Sequence, residues 1–416
     1  MSDPTSNPTS NPTSNPVTGA NPGSPGRRSG ALRLGTRRSA LALTQARWVA
    51  ERLEKVLVAA GRPAGVELVE VTTHGDRTKA PLSTLGGTGV FVSALRDALL
   101  DGSIDLAVHS LKDLPTAPAE GLVVAAVPVR EDPRDVLVAR DGRTLHELPA
   151  GARVGTGSPR RAAQIRALGL GHEVVDVRGN VDTRLRLVQD GTLDAVVLAR
   201  AGLLRLERAA EATEVFDPLL MLPAPGQGAL AVECRADDAE VRAALAELDD
   251  PATRHCVVAE RALLARLEAG CAAPVGALAE VVLGDDGDEL SLRAVVATPD
   301  GAVTIRRSAH VPLGPAPAHQ AHQAPPEPEA PPDPGTVPSS RALEPMSHQG
   351  FSVAEHLGRS LAEQMLEDGA ADLMPVPAGT VAPRAGTGDE PGGPTERTNV
   401  RATARRAVGL ASEEGL

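Results

Sequence analysis

The sequence predicts an α/β protein with two like lobes, a smaller α+β domain after them, and disordered tails. Two echoes and one change of pattern carry that prediction. The stretch from Leu32 reads strand, Gly35-Thr36, short turn, helix, and Ala152 to Leu168 repeats the order with Gly155-Thr156. Asp101 to Ser110 (DGSIDLAVHS) and Asp190 to Ala199 (DGTLDAVVLA) share a second plan: a helix ending in Asp-Gly, then hydroxyl, aliphatic, Asp and an apolar strand. Strands alternating with helices in this way build α/β sheets. Near Asp250 the pattern changes to a long amphipathic helix, Ala252 to Gly270, followed by strands through Val282 and Leu292 to Ile305.

Composition narrows the function. The 416 residues are 42% hydrophobic but 1% aromatic, so the cores must be Leu, Val and Ala. Stacking platforms for single-stranded nucleic acid are lacking, and a net charge of −12 disfavours a general polyanion binder. Cys234, Cys256 and Cys271 form neither a disulfide framework nor a zinc spacing, and no metal is expected. Apolar runs stay short of the roughly 18 residues of a membrane span, and the N-terminus lacks the apolar segment of a secretory signal. The expected compartment is the cytoplasm.

In chain order, residues 1–30 are low complexity, with repeated PTSN, and read as a disordered tail. A strand at Leu32–Leu34 enters the Gly35-Thr36 turn, and a helix from about Ser39 carries the apolar stripe Leu41, Trp48 and Leu53. Such a turn before a helix N-terminus is an anion-binding geometry. Arg37 and Arg38 lie in it, where loop solvation and ligand contact both fit. Val66–Thr73 reads as a strand, His74–Val90 as a loop containing Gly86-Gly87-Thr88-Gly89, and Phe91–Leu100 as a helix. The strand Ile104–Val108 then meets HSLKDLP, His109 to Pro115. That heptapeptide holds one of only three lysines, against 39 arginines. Lys112-Asp113 at a strand's carboxyl end is where α/β sheets place ligands; an exposed charge pair in a turn would read the same way.

In the second unit Ser158 suits an N-cap and Pro159 the first helical position. If the lobes face each other, their turns and strand ends bring Arg37, Lys112, Arg160, Arg161, Arg178 and Arg184 to one cleft, with Asn180 capping the helix of Arg184. Guanidinium forks suit carboxylate and phosphate, so the expected ligand is a small molecule with several acidic groups. REDPRD, Arg130 to Asp135, links the lobes, and Leu222 to Glu233 makes the return crossing. The expected domains are lobe 1 at 31–129 and 229–248, lobe 2 at 134–222, and a C-terminal domain at 250–372. The last contains a linker-like insertion at 313–347, and a disordered tail covers 373–416. Ser352–Ala370 reads as an amphipathic helix of the third domain. Cys271 follows a helix end and precedes Pro274 and Gly276, which leaves open a buried small hydrophobe or an exposed loop thiol.

Taken together, RLGTRRSALAL, HSLKDLP, REDPRD, VGTGSPRR, VRGNVDTR, DAVVLARAGLLRL, PAPGQGALAVECR and EAGCAAPVG, in order from Arg33 to Gly276, resemble the porphobilinogen deaminase (hydroxymethylbilane synthase) family. The resemblance implies three α/β domains, the first two like periplasmic binding proteins. It implies a transferase joining four porphobilinogen molecules head to tail with loss of ammonia, giving hydroxymethylbilane; a monomer without nucleic-acid or membrane partners is the expected form. It also implies a dipyrromethane cofactor tethered through a thioether on Cys271. Asp113 matches the catalytic carboxylate. Arg37, Ser39, Ser110, Lys112, Thr156, Ser158, Arg160, Arg161, Arg178 and Arg184 match the residues that hold cofactor and substrate. The chain departs from the family's usual Thr-Ser-Ser-Leu-Arg-Arg run at Gly157 and Pro159, and has Thr88 where many members carry lysine. The lobes alone would also permit a non-catalytic two-lobed anion-binding protein; the third domain with Cys271 and the Lys112-Asp113 pair argue against it.

Overall fold

In the computed structural model, lobe 1 begins with β1 (Leu32–Thr36), two residues longer than the apolar run alone predicts. Residues 31–62, 65–72, 92–269, 273–284, 287–313 and 348–374 are described, with backbone alone at 348–352. The expected N-terminal tail, the glycine-rich loop with Thr88, Cys271, nearly all of the 313–347 insertion and the C-terminal tail beyond Met374 lie outside these residues. Helix α1 (Ala40–Ala59) starts where the Ser39 hydroxyl accepts from Ala42 N at 3.3 Å. Val49, Leu53 and Leu57, at helical spacing, bury one face of it against Leu32, Leu34 and Leu106. Strand β2 (Val66–Glu70) stops short of the expected Thr73, although Val71 N still donates to Thr36 O at 2.8 Å. Helix α2 (Ser93–Leu100), strand β3 (Leu106–Ser110) and strand β4 (Leu122–Ala126) complete the first pass.

The chain then crosses to β5 (Asp135–Ala139), β6 (Arg153–Gly155), α3 (Pro159–Ala167), β7 (Glu173–Val175), α4 (Val181–Gln189), β8 (Ala195–Ala199), α5 (Arg200–Arg205) and β9 (Glu214–Val215). It returns as β10 (Leu230–Arg235). The first sheet has the order β2-β1-β3-β10-β4 and the second β7-β6-β8-β5-β9. In each, one strand runs antiparallel to its neighbours: β10 between β3 and β4, and β5 between β8 and β9. These are the strands that follow the two crossovers. The result is a pair of α/β lobes with the same strand plan.

The echoes in sequence are echoes in structure. Asp105 Oδ2 accepts from Arg33 N at 2.9 Å, and Asp194 Oδ2 accepts from Arg153 N at 2.8 Å. Gly35 and Gly155 hold matching places: a Cβ on the first would lie 2.3 Å from Ile104 Cδ1, and on the second 2.5 Å from Leu193 Cδ1. The aliphatic residue of each Asp-Gly motif therefore packs on the glycine of the turn, which sets the strand end beside the helix start.

The third domain follows helix α6 (Ala239–Ala246). Helix α7 (Pro251–Arg266) starts at the Asp250 cap and ends earlier than the expected Gly270, with Glu268 at a left-handed φ of 52°. Strands β11 (Val275–Gly284), β12 (Gly287–Ala297) and β13 (Thr304–Pro312) form an antiparallel sheet. Helix α8 (His348–Glu367), with the short α9 (Ala370–Leu373), packs with α7 through Ala259, Leu263, Leu361 and Met365 on that sheet. No helix among the described residues is long and apolar enough to cross a membrane.

Candidate active site

The Lys112-Asp113 pair sits on a single 3-10 turn, Leu111–Asp113, at the carboxyl end of β3. Leu111 and Leu114 are buried and anchor the turn, while Asp113 is exposed and Lys112 half-buried. A cavity at this strand end is lined by Arg37, Ser39, Gln45, Ser110 and Asp113. The β1 turn and the β3 end of lobe 1 thus meet.

The hydroxyls serve the turns. Ser39 caps α1 and the Ser158 hydroxyl accepts from Arg161 N at 3.5 Å. Buried Thr156 accepts from Ser158 N at 3.2 Å, and Ser110 Oγ lies 3.2 Å from Gln45 Nε2. Each turn's shape therefore depends on a hydroxyl beside the cleft.

Lobe 2 contributes cations in two ways. Arg178 and Arg184 are half-buried, on the turn before α4 and on α4 itself. Arg178 Nε lies 3.4 Å from Asp176, and Arg184 Nε donates to Gly179 O at 3.0 Å. Arg160 and Arg161, by contrast, are buried and turned onto Asp135, the fully buried first residue of β5. Arg160 reaches Asp135 Oδ2 at 2.8 Å and Leu222 O at 2.6 Å. Arg161 reaches Asp135 Oδ1 at 2.7 Å and Val197 O at 3.1 Å. Burial opposes the Asp135 charge, but the two guanidinium groups outweigh it and hold the carboxyl well below its usual range.

Gln227, in the return crossover, joins the lobes. Its Nε2 donates to Asp135 Oδ1 and to Pro133 O, each at 2.7 Å, and its Oε1 accepts from Lys112 Nζ at 3.3 Å and from Arg161 Nη2 at 3.4 Å. Sequence reasoning treated Asp135 and Gln227 as connectors. A signal was present for Asp135: a carboxylate opening the all-buried strand Asp-Val-Leu-Val-Ala must have a charged partner. For Gln227 the signal was weaker: a long polar side chain between Gly226 and Gly228, both at positive φ.

The electrostatics link the lobes across the cleft. Burial lowers the Lys112 pKa to about 8, Asp113 opposes the shift, and Arg161 and Arg160 add to it. Burial also lowers Arg184 to about 10, with Arg161 and Arg178 pushing the same way and Asp176 and Asp113 opposing. Arg184 of lobe 2 thus senses Asp113 of lobe 1, and the cations in between disfavour one another. Carboxylates brought among them would raise both pKa values again. Behind β3, buried Glu233 accepts from Arg96 at 2.8 and 3.2 Å and lies 3.1 Å from His109 Nε2. Burial raises the Glu233 pKa, but those partners bring it down to about 2.

Among the described residues Cys234 and Cys256 are free and buried. Burial pushes their thiols up to about 11 and about 12, which suits inert core positions. No cluster of three or more His, Cys, Asp or Glu among the described residues is placed to hold a metal ion.

Residues 32–243 match the family model described as porphobilinogen deaminase, dipyromethane cofactor binding domain, and residues 254–319 match that of the porphobilinogen deaminase C-terminal domain. The chain is 55% identical over 363 residues to the porphobilinogen deaminase of Nocardia farcinica, covering 86% of this chain and 92% of the relative. It is 54% identical over 349 residues to porphobilinogen deaminase 1 of Streptomyces coelicolor, covering 83% and 97%. It is 59% identical over 282 residues to the porphobilinogen deaminase of Mycobacterium avium, covering 67% and 87%.

Proposed function

The chain belongs to the porphobilinogen deaminase family, and we propose a division of labour for its site residues in the transferase reaction of hydroxymethylbilane synthase. The reaction joins porphobilinogen units head to tail with release of ammonia, and Asp113 is the catalytic carboxylate. The observation that carries this assignment is the place of Asp113: exposed at the β3 strand end, beside Lys112, and within electrostatic reach of Arg184 on the other lobe.

The dipyrromethane cofactor, when bound, supplies the pyrrole end to which the first substrate is joined. The cation set fits such a group, because Arg184 and Lys112 are both held below their ordinary pKa and gain from added carboxylates. Arg37 and Ser39 at the lobe 1 turn, with Ser110 and Lys112 at the strand end, bind acetate and propionate from one side. Arg178 and Arg184 bind from the other. Thr156 and Ser158 shape the lobe 2 turn, and Arg160 and Arg161, tied to Asp135, keep its helix start in place and add positive potential. The tether is assigned to Cys271 on the family motif, and the inert environments of Cys234 and Cys256 support that choice.

Loss of the substrate's aminomethyl nitrogen as ammonia leaves a cationic pyrrole methylene. An ionised Asp113 accepts the pyrrole N–H and lies against the developing positive charge. The substrate's ammonium nitrogen leaves as ammonia without a further proton, and Asp113 accepts the proton that the attacking pyrrole carbon releases once the new carbon–carbon bond has formed. Lys112, hydrogen-bonded to Gln227, keeps a positive charge beside it.

The same reading places lobe 1 at 31–129 and 229–248, lobe 2 at 134–222 and the cofactor-carrying domain at 250–372. It has the enzyme act as a cytoplasmic monomer without nucleic acid, and the net charge of −12 supports the last of these. Asp113→Asn tests the assignment. Turnover should drop on the order of 10³-fold, since an amide cannot offset the cation, and near-normal turnover would remove Asp113 from the mechanism.

A further inference from the structure

We propose that Arg261, on α7 of the third domain, is a positioning residue for the turn that carries Asp113. The inference rests on the reading of Asp113 as the catalytic carboxylate. One 3-10 turn is too short to hold its own place: its closing bond, from Leu114 N to Leu111 O at 3.1 Å, leaves the carbonyls of Leu114 and Pro115 without a partner inside it. Those carbonyls are met from the third domain. Arg261 Nη1 donates to Leu114 O at 2.9 Å and to Leu111 O at 3.5 Å, and Nη2 donates to Pro115 O at 2.6 Å. A cation at this end also matches the local dipole.

The rest of α7 is built for the same task. Val257, one helical turn before Arg261, is buried in one cluster with Leu111 and Leu114. A single helix face therefore supplies both an apolar and a cationic contact to the turn. Glu260, the next residue along, is fully buried and accepts from Gly226 N at 2.6 Å. It also binds Arg130 through two bonds, at 2.7 and 3.0 Å. Consecutive side chains thus hold the crossover and the turn.

The crossover closes on the turn from its other side. Leu111 N donates to Ala229 O at 3.0 Å. Gly226, at φ +75°, approaches so near that a Cβ would lie 3.3 Å from Lys112 N. The place of Asp113 in the cleft is therefore set jointly by the crossover and by α7, the helix whose C-terminal end leads toward Cys271. Through Arg261 the tether-bearing domain fixes where the carboxylate stands.

The test uses Arg261→Gln, Arg261→Lys, Asp113→Asn and the Arg261→Gln/Asp113→Asn pair, each purified as holoenzyme and checked by intact mass. In Arg261→Gln, kcat should fall on the order of 10²-fold, the cost of a displacement of about 1 Å at a reacting group. KM should move less than about threefold, because no substrate contact is lost. Arg261→Lys should recover part of the rate, since one ammonium reaches fewer carbonyls than a fork. Hydrogen exchange should quicken at the amides of 111–114 and 116 while those of β3 stay protected. In the Asp113→Asn background Arg261→Gln should add no further loss, as expected for two residues acting as one unit. Normal kcat in Arg261→Gln beside an inactive Asp113→Asn overturns the inference alone. So does a full additional loss in the double variant, or a rate deficit matched by the unfolded fraction. An active Asp113→Asn instead overturns the reading beneath it.

Discussion

The two lobes share a scaffold down to single hydrogen bonds, yet place different chemistry at the same strand end. In both, an Asp just before one strand (β3 or β8) accepts from the backbone of the parallel strand beside it (β1 or β6), and an aliphatic side chain packs on the glycine of the turn. At the end of β3 the chain presents Lys112 and Asp113. At the end of β8 it presents Arg200, which lies 3.0 Å from Asp132 of the connecting segment. The turns differ likewise. Lobe 1 puts Arg37 ahead of the helix cap, at the cavity, while lobe 2 puts Arg160 and Arg161 after the cap, bound to Asp135. Main chain and apolar packing set the common geometry, whereas a few charged positions decide whether a turn or strand end faces the cavity or is tied to a buried or half-buried carboxylate.

Breaking the bracing should have the largest structural effect. Asp135→Asn would leave two buried guanidinium groups short of a counter-charge. Such a loss costs about 3–5 kcal/mol, read as a fall in the denaturation midpoint, and unchanged stability would mean that lobe 2 does not rely on this cluster. Recognition by lobe 2 is a smaller term. Arg184→Gln should raise KM about tenfold with kcat nearly kept, the signature of lost uniform binding; a collapse of kcat would place Arg184 in the chemistry with Asp113.

The smallest expected effect is the pH response of Lys112. Its folded pKa of about 8 lies below the ordinary 10.5. The ammonium is therefore lost as pH rises through about 8, and affinity for a carboxylate-bearing substrate should weaken there. Linkage gives the opposite sign for folding. The unfolded chain binds the proton more tightly, so this group's contribution to stability rises from about pH 8 to 10.5. Titrating KM in the parent and in Lys112→Arg should show the alkaline rise in the parent alone.

What could be read from the sequence was local. Ser158 and Asn180 were legible as helix caps because capping joins residues a few positions apart, and Ser39 was legible as a helix start. The Asp-Gly echoes gave both lobes for the same reason. The family motifs named Asp113 and the cleft arginines but could not say which arginines face the cleft. Arg160 and Arg161 look alike in sequence to Arg178 and Arg184, and only the distant Asp135 draws the first pair inward. Gln227 and Arg261 were illegible for that reason too: their partners at Asp135, Lys112 and the Leu111–Pro115 carbonyls are brought near by tertiary packing. Element ends drifted where capping competed with periodicity, as at α7, which stops at Arg266.

If the Asp113 carboxylate works on a chain tethered to the third domain, the protein expressed in a porphobilinogen-producing host carries that chain. Its intact mass should then exceed that of the bare polypeptide by two pyrrole units, in an adduct that maps to Cys271 and vanishes in Cys271→Ser. An unmodified chain, or the same adduct retained in that variant, would contradict it.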